Sequence, residues 1–264
     1  MIYTKEIQET GAFDVVVCGG GPAGCAAALS ARREGLSVLL IESTGQLGGM
    51  AVSGHVSHWL GGRTQEGEWV VGGIFKDLAT KACAEGCALI PKLDPAAEYH
   101  PYGWFNWFIH GVPMDPFKMS LFLDSEMEKA GVEVFLFTRF VDVEVVDGAI
   151  SRVIVDAAGG LRAIPVKAVI DATGNADVAY ASGCSVFKGR KEDGKLAPSS
   201  LIFHVYGVDT DALTAAVVKG RDPKFRDLIS KLREEGIWNF PYDIFICTQL
   251  STAESSARTI IHTT

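Results

Sequence analysis

A chain of 264 residues, 48% of them hydrophobic, can bury a full core as one large domain or as a nucleotide-sized domain with a smaller partner, without disulfide staples. Its net charge of −8 at pH 7, with no basic run, argues against a nucleic-acid footprint and against a surface for anionic membranes. No signal-peptide core opens the chain and no run approaches the ~20 apolar residues of a membrane span, so a cytoplasmic protein acting on a small molecule is expected, its oligomeric state left open.

The first element is the clearest. Residues 14–24, Asp-Val-Val-Val-Cys-Gly-Gly-Gly-Pro-Ala-Gly, read as a strand, a glycine turn and a helix start, and residues 38–42, Val-Leu-Leu-Ile-Glu, as a second strand ending in an acid. Gly19, Gly21 and Gly24 fall at the G-x-G-x-x-G positions, where a missing Cβ permits the tight turn, the approach of a pyrophosphate and the close packing of helix on strand. Pro22 suits the first helical position, and the free amides beyond it point at a bound phosphate. Ala26, Ala27 and Ala28 keep the helix thin against the sheet, and Gly35 suits the residue that ends it. Glu42 stands eighteen residues after Gly24, where its carboxylate can accept from ribose hydroxyls. The layout implies a dinucleotide and leaves NAD(P) and a flavin dinucleotide both open.

A glycine-rich loop, residues 43–54, follows and is too long for an ordinary strand-to-helix connection; a second binding element is expected there. Residues 55–113 read as an insertion rich in aromatics, with a helix over 73–85. A helix over 116–129, with Phe117, Leu121, Phe122 and Met127 on its apolar side, leads into a strand at 132–137. Apolar runs at 140–146, 149–156 and 161–166, separated by Asp147-Gly148 and Gly159-Gly160, read as a β-meander. A separate short strand at 168–171 then ends in Ala172-Thr173-Gly174, with a helix starting near Asp177. Further on, 201–206 alternates like a strand, and 223–235 places Phe225, Leu228, Ile229 and Leu232 at helical spacing.

The six cysteines, Cys18, Cys25, Cys83, Cys87, Cys184 and Cys247, contain no C-x-x-C and no repeated spacing, so no metal or cluster site is expected. Cys18, Cys25, Cys83 and Cys87 read as small core residues; Cys25, near a helix N-terminus, would have a lowered pKa if solvent reached it. His55 and His58, just after the glycine-rich loop, are the candidate proton-transfer residues, against the plainer reading of structural histidines. The aromatic run 99–108, edged by His100 and His110, would wall a substrate pocket or pack an inserted cap.

The order of these parts resembles the FAD-dependent oxidoreductases of the glutathione reductase-like superfamily. More narrowly, Leu47-Gly48-Gly49-Met50, residues 53–62 (Ser-Gly-His-Val-Ser-His-Trp-Leu-Gly-Gly), Asp171-Ala172-Thr173-Gly174-Asn175-Ala176-Asp177 and Gly194-Lys195-Leu196 resemble bacterial FAD-dependent oxidoreductases distantly similar to the flavin subunit of heterodisulfide reductase. The resemblance, over residues 12–210, implies FAD as cofactor. It assigns the pyrophosphate to Gly19, Gly21, Pro22, Ala23 and Gly24, the adenosine ribose to Glu42 with Ser43 beside it, the flavin side to Gly48, Gly49 and Met50, the adenine to backbone near Val141, and closure over the cofactor to Thr173 and Gly174. Cluster-binding cysteines of the heterodisulfide reductase relatives are absent here.

The expected fold is α/β: a Rossmann-like FAD-binding domain with a parallel sheet and β-meander (12–60 and 114–190), plus an inserted and C-terminal α+β cap or substrate region (61–113 and 191–264). Family members usually run on past this length to complete the flavin-ring half, so that half is expected to be incomplete. The lack of a cysteine pair after Gly48-Gly49 disfavours dithiol–disulfide chemistry. An FAD oxidoreductase acting on a small organic substrate is the leading expectation; a NAD(P)-binding oxidoreductase and a flavin-binding module without turnover are the alternatives.

Overall fold

The structure, a computed structural model, describes residues 4, 6–64, 66–91, 110–250 and 258–263. They fall into two compact units, one drawn from Met1–Ser53 and Ser120–Lys188, the other from Gly54–Met119 and Gly189–Thr264.

The first unit is a mixed α/β layer structure of Rossmann type. Strands β1 (Gln8–Glu9), β2 (Phe13–Cys18) and β3 (Val38–Ile41) open it, with helix α1 (Pro22–Arg33) crossing from β2 to β3. The later strand β6 (Glu133–Phe135) pairs with β3, and β7 (Arg139–Val146), β8 (Ala149–Ala157) and β9 (Gly160–Asp171) complete a sheet of order β6-β3-β2-β9-β8-β7, with β1 also on β9. Pairing is parallel through β6, β3, β2 and β9 and antiparallel through the meander. Val16, Cys18, Leu39 and Ile41 alternate onto one face, where Val153, Val155 and Ile164 of the meander and Val178 of α4 (Asp177–Ala181) close over them. On the opposite face α1 packs on β2 and β3. Gly24, Cys25, Ala28, Leu29 and Ala31 form its buried side. Of the three alanines expected against the sheet, only Ala28 is buried, because 3.6-residue periodicity carries Ala26 and Ala27 round the helix.

Three further expectations are corrected. The strand expected at 161–166 and the one expected at 168–171 are a single strand, β9. It runs antiparallel to β8 as far as Pro165 and parallel to β2 from Val166 to Asp171. The apolar side of α3 (Pro116–Ala130) is Met119, Phe122, Leu123 and Met127, while Phe117 and Leu121, four apart, are exposed. The strand β6 is also shorter than the expected 132–137.

The second unit holds the two-stranded pair β4 (His58–Trp59) and β5 (Val112–Pro113), helix α2 (Gly73–Ala84), and a three-stranded antiparallel sheet of β10 (Leu201–Tyr206), β12 (Arg258–Thr263) and β11 (Phe245–Leu250) in that order. Helix α5 (Thr210–Gly220), begun by Asp209 accepting from Ala212 N–H at 2.9 Å, was not anticipated, nor were β11 and β12. Helix α6 (Arg226–Glu234) buries Ile229 and exposes Leu228. No helix among the described residues is long and apolar enough to cross a membrane, and no group of three or more metal-ligating side chains occurs among them.

Candidate functional site

Within the first unit the C-terminal ends of β2, β3 and β9 open onto a cavity of about 1010 Å³, at the upper end of the range of small-molecule sites. Each strand contributes a different piece of backbone. β2 leads into the glycine turn, where Gly19 has φ +107° and a Cβ would lie 2.4 Å from the Ala172 carbonyl oxygen. Gly24 brings α1 so close that its Cβ would stand 1.8 Å from the Gly19 oxygen. Gly21 is different: it borders the cavity, and a Cβ there meets nothing nearer than Gly49 Cα at 3.9 Å. No side chain caps α1, so its first-turn N–H groups remain for an anion.

Glu42, only 7% exposed, ties the pieces together. Its Oε2 accepts from Gly20 N–H at 2.7 Å, and its Oε1 from Thr44 N–H at 2.7 Å and Ser43 Oγ at 3.1 Å. A carboxylate has about four lone-pair positions, so it retains room for a ribose hydroxyl on its cavity side. The Gly20 carbonyl in turn accepts from Gly48 N–H at 2.8 Å and from the Cys25 thiol at 3.3 Å. The two glycine-rich elements are therefore joined through the backbone of one residue, Gly20.

β9 supplies the third piece. Asp171 accepts from Thr173 N–H (3.1 Å), Thr173 Oγ1 (2.8 Å) and Ala179 N–H (3.0 Å), fixing the Thr173-Gly174 turn and α4. Burial works to raise its pKa, but these hydrogen bonds outweigh it and hold the carboxyl below the usual range. Sequence reasoning did not single Asp171 out, although an Asp two residues before a Thr is the signature of a side chain that organises its own turn. Val141 lines the cavity at a register shift between Phe140 and Asp142, a bulge that removes its backbone from the ladder with β8.

Of the expected cofactor residues, the structure gathers Gly19, Gly21, Pro22, Ala23, Glu42, Ser43, Gly49, Met50, Val141, Thr173 and Gly174 around this one cavity. Gly24 and Gly48 lie behind its wall: Gly24 packs on Gly19, and a Cβ on Gly48 would meet Val52 and Leu123. Thr138, Arg139, Asn175 and Tyr180 also line it and were not among the expected residues: Thr138 and Arg139 come from the connection into β7, Asn175 from the turn after β9 and Tyr180 from α4.

The two histidines belong to the second unit and do not line this cavity. His55 has φ +56°, and its ring meets those of His204 and Phe117 edge-on at 4.6 and 6.2 Å. His58 is 5% exposed on β4. Ser57 Oγ lies 3.4 Å from His204 Nε2. His110 lies in the same unit; the aromatic run 99–108 with His100 is outside the described residues. Cys25 is fully buried, and burial pushes its thiol up to about 12, opposite to the lowered pKa that solvent access would have given; burial does the same to Cys18, with Asp171 adding to it.

A glycine turn, an acid at the end of the next strand and a deep cleft at the strand ends define a dinucleotide-binding α/β protein. The family model for FAD dependent oxidoreductases matches residues 14–256, and the chain belongs to that family. FAD is accordingly its cofactor, and its role is flavin redox chemistry. A protein of Methanosarcina barkeri known only as an uncharacterized protein in the nifH2 5' region is 28% identical over 68% of this chain and 92% of its own length. A thioredoxin reductase of Ureaplasma parvum is 43% identical over 49 residues, 19% of this chain and 16% of that one. The solved structure of a geranylgeranyl bacteriochlorophyll reductase-like protein from Thermoplasma acidophilum aligns with TM-score 0.52 at 17% identity, over 96% of this chain and 57% of that one. At that identity the likeness concerns the fold. The chain thus spans little more than half the length of that solved structure.

Proposed function

We propose that this chain transfers hydride or electrons between a small organic substrate and FAD held in the cavity of the first unit. FAD, when bound, supplies hydride or single-electron exchange at its flavin ring. The observation that carries the reading is the junction at Gly20, where the residue expected at the ribose and the loops expected at the pyrophosphate and flavin form one hydrogen-bonded assembly. In this reading the α1 amides bind the pyrophosphate and Glu42 the ribose. The bulged backbone at Val141 meets the adenine edge, and the turn fixed by Asp171 closes over the middle of the cofactor. The glutathione reductase-like layout and the distant similarity to the heterodisulfide reductase flavin subunit belong to the same reading, as do the division into a discontinuous FAD domain and a cap region and a cytoplasmic location. His55 and His58 stay the candidate proton-transfer residues of this reading; His55 is half-buried and His58 almost wholly enclosed.

The test is reconstitution. Purified protein should be yellow or turn so with added FAD, and Glu42→Ala should weaken retention at least about tenfold, as expected for a lost charged hydrogen bond and a loosened turn. A wild-type chain that takes up no FAD would end this reading. Anaerobic bleaching by a panel of donors then identifies the substrate; bound FAD that no donor bleaches would favour a flavin-binding module without turnover.

A further inference from the structure

The cavity of the first unit is lined by three acids, Glu42, Asp142 and Asp177, and by one cation, Arg139. Arg139 begins β7 with its side chain exposed, and among the described residues no hydrogen bond or ion pair holds its guanidinium. Elsewhere guanidinium groups are held: Arg32 by the Ala130 carbonyl, Arg152 by Glu9 and Glu144, Arg190 by Asp193. A free, planar cation facing a cavity that is otherwise acidic points to the ligand as its partner.

Strand order tells which part of the ligand. The end of β2 carries the glycine turn, the end of its neighbour β3 carries Glu42, and the end of β6, one strand further out, leads to Thr138 and Arg139. Glu42 N–H donates to the Phe135 carbonyl at 2.9 Å and Thr138 N–H to the Glu42 carbonyl at 2.8 Å, so the chain enters Arg139 from Thr138 on the side of Glu42 away from the glycine turn. A dinucleotide with its pyrophosphate at α1 and its ribose at Glu42 has its base on that side. The phosphates, by contrast, lie toward α1, with Glu42 in between.

We infer that Arg139 recognises the base: its guanidinium plane rests on the purine ring of the bound dinucleotide, an attraction between a cation and an aromatic face, and thereby sets affinity for the adenosine end. This inference rests on the reading of the cavity as the FAD site. The bulge at Val141, two residues on, leaves backbone groups for the purine edge, so Arg139 would supply the face contact and Val141 the edge contact.

FAD is titrated into the apo-protein while flavin fluorescence is followed, for wild type, Arg139→Ala and Arg139→Lys, and ADP is then used to compete with FAD. Wild type comes first, because failure to bind FAD there overturns the cavity reading whatever Arg139 does. With wild type binding, Arg139→Ala should weaken both FAD and ADP about tenfold. Arg139→Lys should stay within about threefold of Arg139→Ala, since an ammonium keeps the charge but loses the plane. Wild-type affinity in Arg139→Lys would overturn the stacked role in favour of a point charge. Unchanged affinity in Arg139→Ala, or a loss for FAD with none for ADP, would overturn base recognition altogether. Apo melting temperatures should match across the three proteins, as removal of an exposed, unheld side chain requires.

Discussion

Gly21 and Gly24 are three residues apart in one motif, yet the space around them predicts opposite failures. At Gly24 a methyl group would stand 1.8 Å from the Gly19 carbonyl oxygen, so helix and strand must separate. Gly24→Ala should therefore cost about 3 kcal/mol of stability in the apo-protein, read from urea unfolding. At Gly21 the nearest atom to such a methyl is 3.9 Å away and the backbone, at φ −70°, suits any residue. Gly21→Ala should fold within about 0.5 kcal/mol of wild type. Its methyl would nevertheless stand on the cavity side, and FAD titration should detect a loss of affinity of at least about tenfold, comparable to overpacking by one methyl. Equal destabilisation by both substitutions would contradict this division of labour. The motif makes both glycines legible in the sequence; which one serves packing and which one serves the ligand is legible only from the distances.

Asp171 governs an element rather than a contact, because its carboxylate ties the end of β9 to the Thr173-Gly174 turn and to α4. Its native pKa lies below the ordinary carboxylate value of about 3.9, so its contribution is full above that value and is lost as pH falls through the lower, native one. Asp171→Asn should lower stability near neutral pH by about 1–2 kcal/mol, through weaker hydrogen bonds, and flatten the fall in stability below about pH 4. Urea midpoints measured from pH 7 down to pH 2.5 decide the matter; parallel curves for the two proteins would remove the assignment. β9 itself illustrates what sequence conveys. Its two halves are each recognisable as apolar runs, but the exposed Lys167 between them reads as a break, whereas the chain is continuous and pairing passes from β8 to β2 between Pro165 and Val166. Pro165 lacks the N–H that an uninterrupted ladder would use, and the sheet places it where one set of partners gives way to another. The first β-α-β unit was legible because its signals are local. β11, β12 and the outer wall of the cavity at Thr138 and Arg139 were not, because they depend on contacts between distant segments; α5 did carry a local signal, the Asp209 cap, that was passed over.

At the scale of the whole chain, charge and ligand oppose each other: the protein carries −8 and FAD brings a pyrophosphate of about two negative charges to a cavity with three acids and one arginine. Affinity must then come from short-range backbone N–H groups rather than from a broad positive field. Raising ionic strength from about 0.02 to 0.5 M should leave FAD affinity unchanged or slightly improved, because it screens repulsion between like charges. A steep fall in affinity with salt would instead require a basic surface that the sequence lacks. The backbone of Gly20 also has a kinetic meaning. One of its three partners is the thiol of Cys25, which neither solvent nor a labelling reagent can reach while the two glycine-rich loops stay joined. That makes Cys25 a native clock for the site: its rate of alkylation measures how often the loops part, Cys184 on the surface supplies the unprotected reference, and the slowing caused by FAD reports how far the cofactor holds its own binding loops shut.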